Sequence, residues 1–265
     1  VLAHLLGHLG EATPDQLAAR AGRVRSGEAI GQKGIEAAYQ DLLAGTSGLK
    51  TFVIDSFGRE VAELDRTDPL PGNTLVLNVD LDLQRIADDY FREKVGTAVA
   101  LDPKTGEILA LVSAPAFDPN VFSRRVTRAE WDAIVGNEDH PLQNRAIQNV
   151  YSPGSVWKAF VAYAALTHGI SPTERVHCPG SATFYGRTFR CHSTHGDVDL
   201  PTALQVSCDT YFYTMGKRLG IEALAETARL FGFGRPTGVD LASEKAGTVP
   251  SPEWSLAVRK HPWYP

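Results

Sequence analysis

The stretch YSPGSVWKAF, residues Tyr151–Phe160, places a serine and a lysine three positions apart where a turn opens into a helix. A proline and a glycine end the preceding segment, and the residues that follow up to Leu166 are almost all apolar, so the pattern predicts a buried helix. Residues at positions i and i+3 share one face of a helix, and the amine of Lys158 is therefore expected to reach the hydroxyl of Ser155. We interpret this pair as a nucleophile with its general base.

Lys158 stands out because the predicted helix around it is otherwise apolar. A Ser-x-x-Lys spacing is common by itself and equally suits a solvated lysine behind a helix-capping serine. An unpaired charge inside an apolar helix is costly, however, so a buried lysine needs a partner or a task. Burial disfavours the ammonium form, so we expect Lys158 to be neutral often enough to accept the Ser155 proton. Free amide groups at the helix N-terminus favour negative charge developing nearby.

Composition excludes some classes of function. The chain has 265 residues, 43% of them hydrophobic, which is enough for two domains with sizeable cores. A net charge of −5 argues against a nucleic-acid partner. No apolar run reaches the roughly 18 residues of a membrane helix. Because the chain starts at Val1 without a cleavable signal, we expect it to be an excerpt whose anchoring segment lies upstream.

Residues 1–72 are predicted to form a small α+β region. The pair Thr13-Pro14 is typical of a helix N-cap followed by a proline at the first helical position. A second helix is expected from Glu36 to Leu43. The alternating segments Leu49–Ile54 and Val61–Leu64 predict a β-hairpin.

A break at Pro71-Gly72-Asn73 marks the predicted boundary with a second domain, residues 73–265. Its expected elements are a strand Thr74–Val79, a helix Leu83–Lys94, a hairpin of Thr97–Leu101 with Glu107–Ser113, a helix Arg128–Val135, a loop-rich segment Ser171–Leu200 and a helix over residues 221–231. The hairpin turn carries Lys104-Thr105-Gly106. Because this tripeptide precedes the serine and lies at a hairpin tip, we assign it no catalytic role.

A second polar group, Ser207-Cys208-Asp209, opens an apolar run downstream of the Ser155 helix. The tripeptide alone carries no information. Placed after a serine–lysine pair, its hydroxyl can relay protons between Lys158 and a leaving amine. Ser207 and Asp209 are therefore candidate site residues.

Four segments resemble class B penicillin-binding proteins of the elongation type. Asn144 to Ser155 is similar to the approach to their active serine, and Ala100 to Asn120 to the opening of their transpeptidase domain. Gly31 to Glu36 resembles a stretch of their membrane-proximal pedestal. Ser207-x-Asp209 fits their Ser-x-Asn motif in an aspartate form, a departure that leaves its binding of substrate amides open.

The resemblance implies a fold, an activity and a location. The expected fold is α+β: a penicillin-binding transpeptidase fold, with an antiparallel sheet flanked by helices, preceded by a dimerisation-type pedestal over residues 1–72. The family cross-links peptidoglycan stem peptides ending in D-Ala-D-Ala during cell-wall elongation, and β-lactams acylate the same serine. Ser155 is then the nucleophile, Lys158 the general base, and Ser207 with Asp209 the proton relay and substrate contact. A membrane glycosyltransferase is an expected partner, and the expected location is the periplasmic face of the inner membrane.

The family's third motif, a Lys-Thr/Ser-Gly strand, has no match between Asp209 and Pro265. We therefore expect the transpeptidase domain to lack its C-terminal part. The absence also leaves open a catalytically inactive scaffold that activates a glycosyltransferase through the pedestal. A β-lactamase or β-lactam sensor shares Ser-x-x-Lys but lacks a pedestal-like N-terminal region.

The chain's three cysteines, Cys178, Cys191 and Cys208, lie close together in sequence, with His195 four residues beyond Cys191. A Cys₃His set is a complete tetrahedral shell for a structural zinc ion. If Ser207 and Asp209 face the cleft in extended backbone, Cys208 faces away, toward the other ligands. His192 is the rival fourth ligand.

Two alternatives to zinc stay open. An oxidising compartment would favour a disulfide between Cys178 and Cys191 with Cys208 free. The three thiols could also remain unligated. The resemblance agrees with the metal interpretation, since some elongation-type penicillin-binding proteins hold zinc with similarly spaced ligands, though others lack the cysteines. Four protein ligands leave no open position for water or substrate, so the zinc would be structural and no cofactor is expected in catalysis.

Overall fold

The computed structural model describes residues 1–261 and 263, which fall into two compact units. The first unit joins Val1–Asn149 to Val239–Glu244, and the second joins Val150–Gly238 to Lys245–Pro265. The first unit runs past the predicted boundary at residue 72, which stays a prediction. Strand pairings among the described residues are all antiparallel and form two-stranded sheets.

The first unit is built from short helices and three hairpin-like sheets. Its elements are α1 Ala3–Leu6, β1 Leu9–Glu11, α2 Pro14–Ala19, β2 Ala29–Gly31, α3 Gly34–Ala38, α4 Gln40–Leu43, β3 Leu49–Ile54, β4 Glu60–Thr67, α5 Leu81–Tyr90, β5 Gly96–Leu101, β6 Ile108–Ala114, a 3₁₀ turn Pro119–Ser123, α6 Arg128–Val135 and α7 Arg145–Gln148. Strands pair as β1 with β2, β3 with β4 and β5 with β6. Its buried core contains Leu5, Ile35, Leu111 and Leu241.

Local sequence signals explain several of these elements. Thr13 caps α2 in a capping box with Gln16, and the predicted hairpin β3–β4 is confirmed. The single helix predicted over Glu36–Leu43 is wrong, because the chain breaks at Tyr39 into α3 and α4. After the break, the Gln40 side chain accepts a hydrogen bond from the Gly31 amide at 2.6 Å, which ties α4 to β2.

The strand predicted over Thr74–Val79 is also wrong. The segment belongs to none of the strand ladders in the described residues. Leu75, Leu77 and Val79 nevertheless pack on the core of the first unit, with the residues between them exposed. The alternation correctly indicated which side is buried, but side-chain burial with period two does not require a hydrogen-bonded neighbour strand.

The hairpin β5–β6 is confirmed, with Lys104-Thr105-Gly106 in its exposed turn. Helix α5, predicted over Leu83–Lys94, begins two residues earlier and ends at Tyr90. It is joined to β6 by Gln84, which is fully buried: its side-chain amide donates to the Leu111 carbonyl at 3.1 Å and accepts from the Leu111 amide at 2.8 Å. One side chain therefore completes the backbone hydrogen bonding of β6 at this position.

We expect Gln84→Met to lower the free energy of unfolding by about 2–4 kcal/mol, because a side chain of similar volume leaves two buried backbone groups of Leu111 unsatisfied. Urea unfolding measures the loss. The matched control is Arg85→Met on the exposed side of α5, expected within about 0.5 kcal/mol of wild type. Equal stability of the two variants would show that Gln84 does not hold α5 to β6.

The second unit carries the stretch that opened the sequence analysis. Its elements are a 3₁₀ turn Gly154–Val156, α8 Trp157–Thr167, β7 Val176–Cys178, β8 Ser181–Phe184, β9 Arg187–Arg190, β10 Gly196–Val198, α9 Leu200–Gln205, α10 Asp209–Leu230, α11 Pro252–Trp254 and a π-helical turn Ser255–Arg259. The segment predicted as loop-rich thus contains two small sheets, β7 with β10 and β8 with β9.

Helices α8 and α10 pack around a shared core. Tyr211 and Met215 of α10 are fully buried there with Cys178 and Cys208, and Val161 of α8 packs against them. Inside α10, Gly220 has φ +77° and ψ 171°, which interrupts the helix. Glycine adopts this backbone at little cost, so α10 divides into a half that begins at Asp209 and the predicted helix over 221–231. Among the helices of the described residues, none is long and apolar enough to cross a membrane.

Candidate active site

Ser155 and Lys158 come from the start of α8. Ser155 lies in the 3₁₀ turn Gly154–Val156 and is exposed, whereas Lys158 lies in the first turn of α8 with 8% of its surface exposed. One face of α8 is buried through Val161, Ala162 and Ala164, and its other face is exposed. The predicted helix and the burial of its lysine are confirmed, but the helix is buried on one face only.

The amine of Lys158 is surrounded by three acceptors. It donates to the Ser207 carbonyl at 2.6 Å, to Ser207 Oγ at 2.8 Å and to Asp209 Oδ1 at 2.6 Å. A lysine ammonium has three protons, so these contacts use all of them. The buried charge therefore has the partner that the sequence required, and that partner is the carboxylate of Asp209.

Ser207 lies between the lysine and the predicted nucleophile. Its Oγ is 3.1 Å from Ser155 Oγ and 2.8 Å from Lys158 Nζ. The contact that spacing alone predicted between Lys158 and Ser155 is thus made through a third side chain from a distant part of the sequence. An i, i+3 spacing sets two residues on one face but does not decide which neighbour a long side chain meets.

Ser207 and Asp209 are held by the N-terminus of α10. Ser207 has φ +51°, a left-handed conformation that is rare for serine, and Cys208 is the N-cap of the helix. The extended backbone predicted across these three residues is therefore wrong. Cys208 is nevertheless fully buried while Ser207 and Asp209 are half-buried, so the cysteine does face away from the serine–lysine group.

The four predicted metal ligands meet behind this motif. The ligand atoms of Cys178, Cys191, His195 and Cys208 all lie within 4.8 Å of one another. His195 Nδ1 is 3.6 Å from Cys178 Sγ and 3.5 Å from Cys191 Sγ. Zinc bonds of about 2.3 Å to sulfur and 2.0–2.1 Å to nitrogen make a tetrahedral S···N edge of about 3.6 Å. The donor set fits a tetrahedral zinc ion in both chemistry and spacing.

Electrostatics of the three thiols also suit a cation. Burial raises the pKa of Cys178, but hydrogen bonds from Thr210 and from nearby backbone amides outweigh it and lower the pKa to about 7. Burial, together with the neighbouring Cys178 and Cys191, raises the pKa of Cys208 to about 12. Three adjacent thiolates repel one another, whereas a divalent ion bound among them stabilises all three in the deprotonated form.

The geometry favours His195 over His192 as the fourth ligand. His192 is exposed, and its Nδ1 lies 4.0 Å from Cys191 Sγ and 3.9 Å from Asp209 Oδ2.

A backbone hydrogen bond joins the cysteine cluster to the group formed by Ser155, Ser207 and Lys158. The Asp209 amide donates to Cys191 Sγ at 3.2 Å. A metal at this cluster would hold the start of α10 in place.

A large cavity opens beside Ser155, and part of its lining was missed by the sequence analysis. The cavity measures about 1150 Å³ and reaches Ser155, Lys158 and Asp209. Aromatic residues of the hairpin β8–β9 also line it, although the sequence suggested only a loop there. The alternation of Ser181–Phe184 and Arg187–Arg190 around Tyr185-Gly186 was the signal available for a hairpin.

Comparisons with known proteins agree with this site. The penicillin binding protein transpeptidase domain matches residues 96–260, and the penicillin-binding protein dimerisation domain matches residues 1–77. The peptidoglycan D,D-transpeptidase MrdA of Acinetobacter baumannii is 39% identical over 271 residues, covering 99% of this chain and 40% of the relative. MrdA of Escherichia coli K12 is 36% identical over 242 residues, covering 89% of this chain and 38% of the relative.

Solved structures give the same result. PBP2 in its complex with MreC from Helicobacter pylori superposes with a TM-score of 0.87 at 33% identity, over 99% of this chain and 49% of that one. Pseudomonas aeruginosa PBP2 in complex with WCK 5153 gives 0.84 at 34% identity, over 99% of this chain and 55% of that one. The chain thus spans about 40% of the curated relatives' length. It belongs to the penicillin-binding protein transpeptidase family, among the elongation-type members that resemble PBP2, and it has the family's transpeptidase fold and dimerisation domain.

Proposed function

We propose that the protein to which this chain belongs is a serine-type peptidoglycan D,D-transpeptidase that cross-links D-Ala-D-Ala stem peptides during cell-wall elongation and is acylated by β-lactams. The observation that carries the proposal is the continuous hydrogen-bonded path from Ser155 through Ser207 to Lys158. An exposed hydroxyl beside a cavity, connected in this way to a buried amine, is the arrangement that a serine nucleophile needs.

The proposed chemistry begins at Ser155. Its Oγ attacks the carbonyl of the penultimate D-Ala, and the hydroxyl proton passes by way of Ser207 Oγ to Lys158. This step requires Lys158 as the neutral amine. Its Nζ then donates to the Ser207 carbonyl and to Asp209 and accepts from Ser207 Oγ, which alone among these three groups has a proton to give. The carbon–nitrogen bond to the terminal D-Ala then breaks, and the leaving amine takes up the proton along the same path.

The second half-reaction uses the same groups in reverse. An amine of a neighbouring stem peptide attacks the acyl-enzyme carbonyl, and its proton travels through Ser207 toward Lys158. The bond from the acyl carbon to Ser155 Oγ breaks, and Ser155 Oγ regains that proton from Lys158 through Ser207 Oγ. Asp209 holds the Lys158 amine in position at 2.6 Å through both halves.

Labelling of the full-length protein with a fluorescent penicillin tests this function. Wild type is expected to form a stable labelled acyl-enzyme, and Ser155→Ala to form none. Lack of labelling in folded wild-type protein would instead favour an inactive scaffold that activates a glycosyltransferase. Rapid turnover of bound penicillin would favour a β-lactamase.

The Cys₃His cluster supports a second element of the proposal, a structural zinc ion bound by Cys178, Cys191, His195 and Cys208. Bound zinc would stabilise the fold and take no part in the reaction, because four protein ligands complete its tetrahedral shell. Its effect on the active site would pass through the Asp209 amide, which donates to Cys191 Sγ.

The relatives support partners for the whole protein. A Helicobacter pylori relative forms a complex with MreC, and another solved neighbour belongs to a peptidoglycan synthase complex that coordinates polymerisation and crosslinking. We therefore include a membrane glycosyltransferase of the elongation machinery as a partner. We place the protein at the periplasmic face of the inner membrane, because its stem-peptide substrate lies outside the cytoplasm.

A further inference from the structure

An aromatic wall lines the cavity beside the candidate active site. We define it as Phe184, Tyr185 and Phe189 of the β8–β9 hairpin with Tyr213 of α10. Ring centroids of Phe184, Phe189 and Tyr213 are 5.3–6.2 Å apart, so these three rings form one contiguous surface. All four residues line the cavity that reaches Ser155 and Asp209.

Three of the four side chains of the wall are partly exposed. Tyr185 is 56% exposed, Tyr213 43% and Phe189 37%. Tyr185 also lies at the hairpin tip with φ +48°, a conformation that is unfavourable for a bulky residue. Exposed aromatic rings beside a reactive serine, one of them on a strained turn, are typical of a surface that contacts substrate.

Lys217 provides a charge at the end of the wall. It follows Tyr213 by one helical turn on α10, is exposed, and its Nζ lies 5.5 Å from the Tyr185 ring centroid. Among the described residues, no carboxylate lies within ion-pair distance of Lys217. The cavity's other lysine, Lys158, is by contrast fully paired with Asp209 and Ser207. Lys217 is therefore the lysine of this cavity that is available to an anionic ligand.

The helix face between these residues leaves room for a ligand. Gly216 lies on the cavity side of α10, and a Cβ placed there would meet only Leu224, at 3.8 Å. No close backbone contact demands a glycine at this helical position, where alanine is the more favourable residue. The absence of a side chain keeps the cavity open beside Tyr213 and Lys217.

We propose that the aromatic wall and Lys217 form a subsite for the acyl-donor peptide, in which Lys217 binds a side-chain carboxylate of that peptide and the rings contact its backbone and aliphatic portions. The proposal rests on the proposed function, because it assigns the donor peptide to the Ser155 cavity. Glu222 and Glu253 line the cavity too, so its charge is not uniformly positive. Specificity for an acidic peptide would come from the position of Lys217 and not from the net charge of the cavity.

Protection of Ser155 from a fluorescent penicillin measures occupancy of this subsite in the full-length protein. Two D-Ala-D-Ala pentapeptides serve as probes: one carries a side-chain carboxylate, and the other carries the corresponding amide. We expect the acidic peptide to slow labelling of wild type at about tenfold lower concentration than the amide, because ionic hydrogen bonds are the stronger ones. In Lys217→Gln this preference should disappear, with each peptide's effect measured relative to the variant's own labelling rate without peptide.

Two further variants separate the parts of the subsite. Tyr185→Asn removes a ring and suits the positive φ, so it should weaken protection by both peptides alike. Lys245→Gln makes the same charge change at an exposed lysine that does not line the cavity, and it should behave as wild type. Gly216→Leu fills the open face of α10 and should weaken protection by both peptides.

The outcomes separate this proposal from the function it rests on. Labelling that survives Ser155→Ala would overturn the proposed function itself. Ser155-dependent labelling that neither peptide slows, or an equal preference for the acidic peptide in Lys217→Gln and wild type, would overturn the subsite alone. A uniform loss of penicillin labelling in Lys217→Gln would show a structural role and would also overturn it. If the wall variants change only the transfer onto an acceptor peptide, and protection by the two pentapeptides is unchanged, the wall binds the acceptor and the donor subsite is overturned.

Discussion

Lys158→Ala is expected to lower the rate of Ser155 acylation by about 10²–10⁴-fold, the usual effect of removing one positioned general base. The variant loses the amine that receives the serine proton through Ser207 Oγ. Stopped-flow or quenched labelling with a penicillin measures the second-order rate of acylation. A Lys158→Ala protein that acylates within a factor of ten of wild type would show that the base lies elsewhere.

A matched variant separates loss of the base from loss of the ion pair. Asp209→Asn keeps an acceptor for the Lys158 amine and removes only the negative charge, so we expect a loss of about tenfold or less. Urea unfolding of both variants controls for the fold, because Lys158 is buried and its removal leaves Asp209 without its partner. Equal losses in the two variants would indicate that positioning, and not proton transfer, is the main task of Lys158.

Removing one cysteine of the cluster should produce the second large effect. Wild type is expected to hold about one zinc per chain, and Cys191→Ser to lose it. An ion present at about 1,000 times its dissociation constant contributes about 4 kcal/mol. Its loss should therefore lower Tm by roughly 10 °C in a protein of this size. Elemental analysis and thermal unfolding are the measurements.

The two histidines give this test its control. His195→Ala removes a predicted ligand and should lose zinc, whereas His192→Ala changes an exposed neighbour and should retain it. Metal-free wild type with a Cys178–Cys191 disulfide, detected by mass spectrometry without reduction, would contradict the zinc assignment. If zinc is retained in His195→Ala and lost in His192→Ala, the fourth ligand is His192 and not His195.

The sequence predicted which polar residues lie together better than it predicted the hydrogen bonds between them. Ser155 and Lys158 follow from a local helical spacing, and the buried lysine required a partner on energetic grounds. The identity of that partner depends on tertiary contacts, since Asp209 and Ser207 arrive from another helix. The orientation of Cys208 was predicted correctly from a wrong backbone, because Ser207 adopts a left-handed conformation that no local rule anticipates for serine.

Secondary structure was likewise predicted well where local signals decide it and poorly where tertiary contacts do. Elements with capping or turn signals were predicted well, among them helix α6 behind its Thr127–Glu130 capping box and the hairpin β5–β6. The segment Thr74–Val79 failed because side-chain alternation reports burial and not strand pairing. The aromatic wall was missed because short hairpins give few periods of alternation.

Mapping a β-lactam adduct tests the central claim most directly. Full-length protein is incubated with a penicillin, digested, and sequenced by tandem mass spectrometry. The account predicts one adduct per chain on the Ser155 hydroxyl, none in Ser155→Ala, and slow formation in Lys158→Ala. An adduct on any other residue, or a folded wild-type protein that forms none, would contradict it.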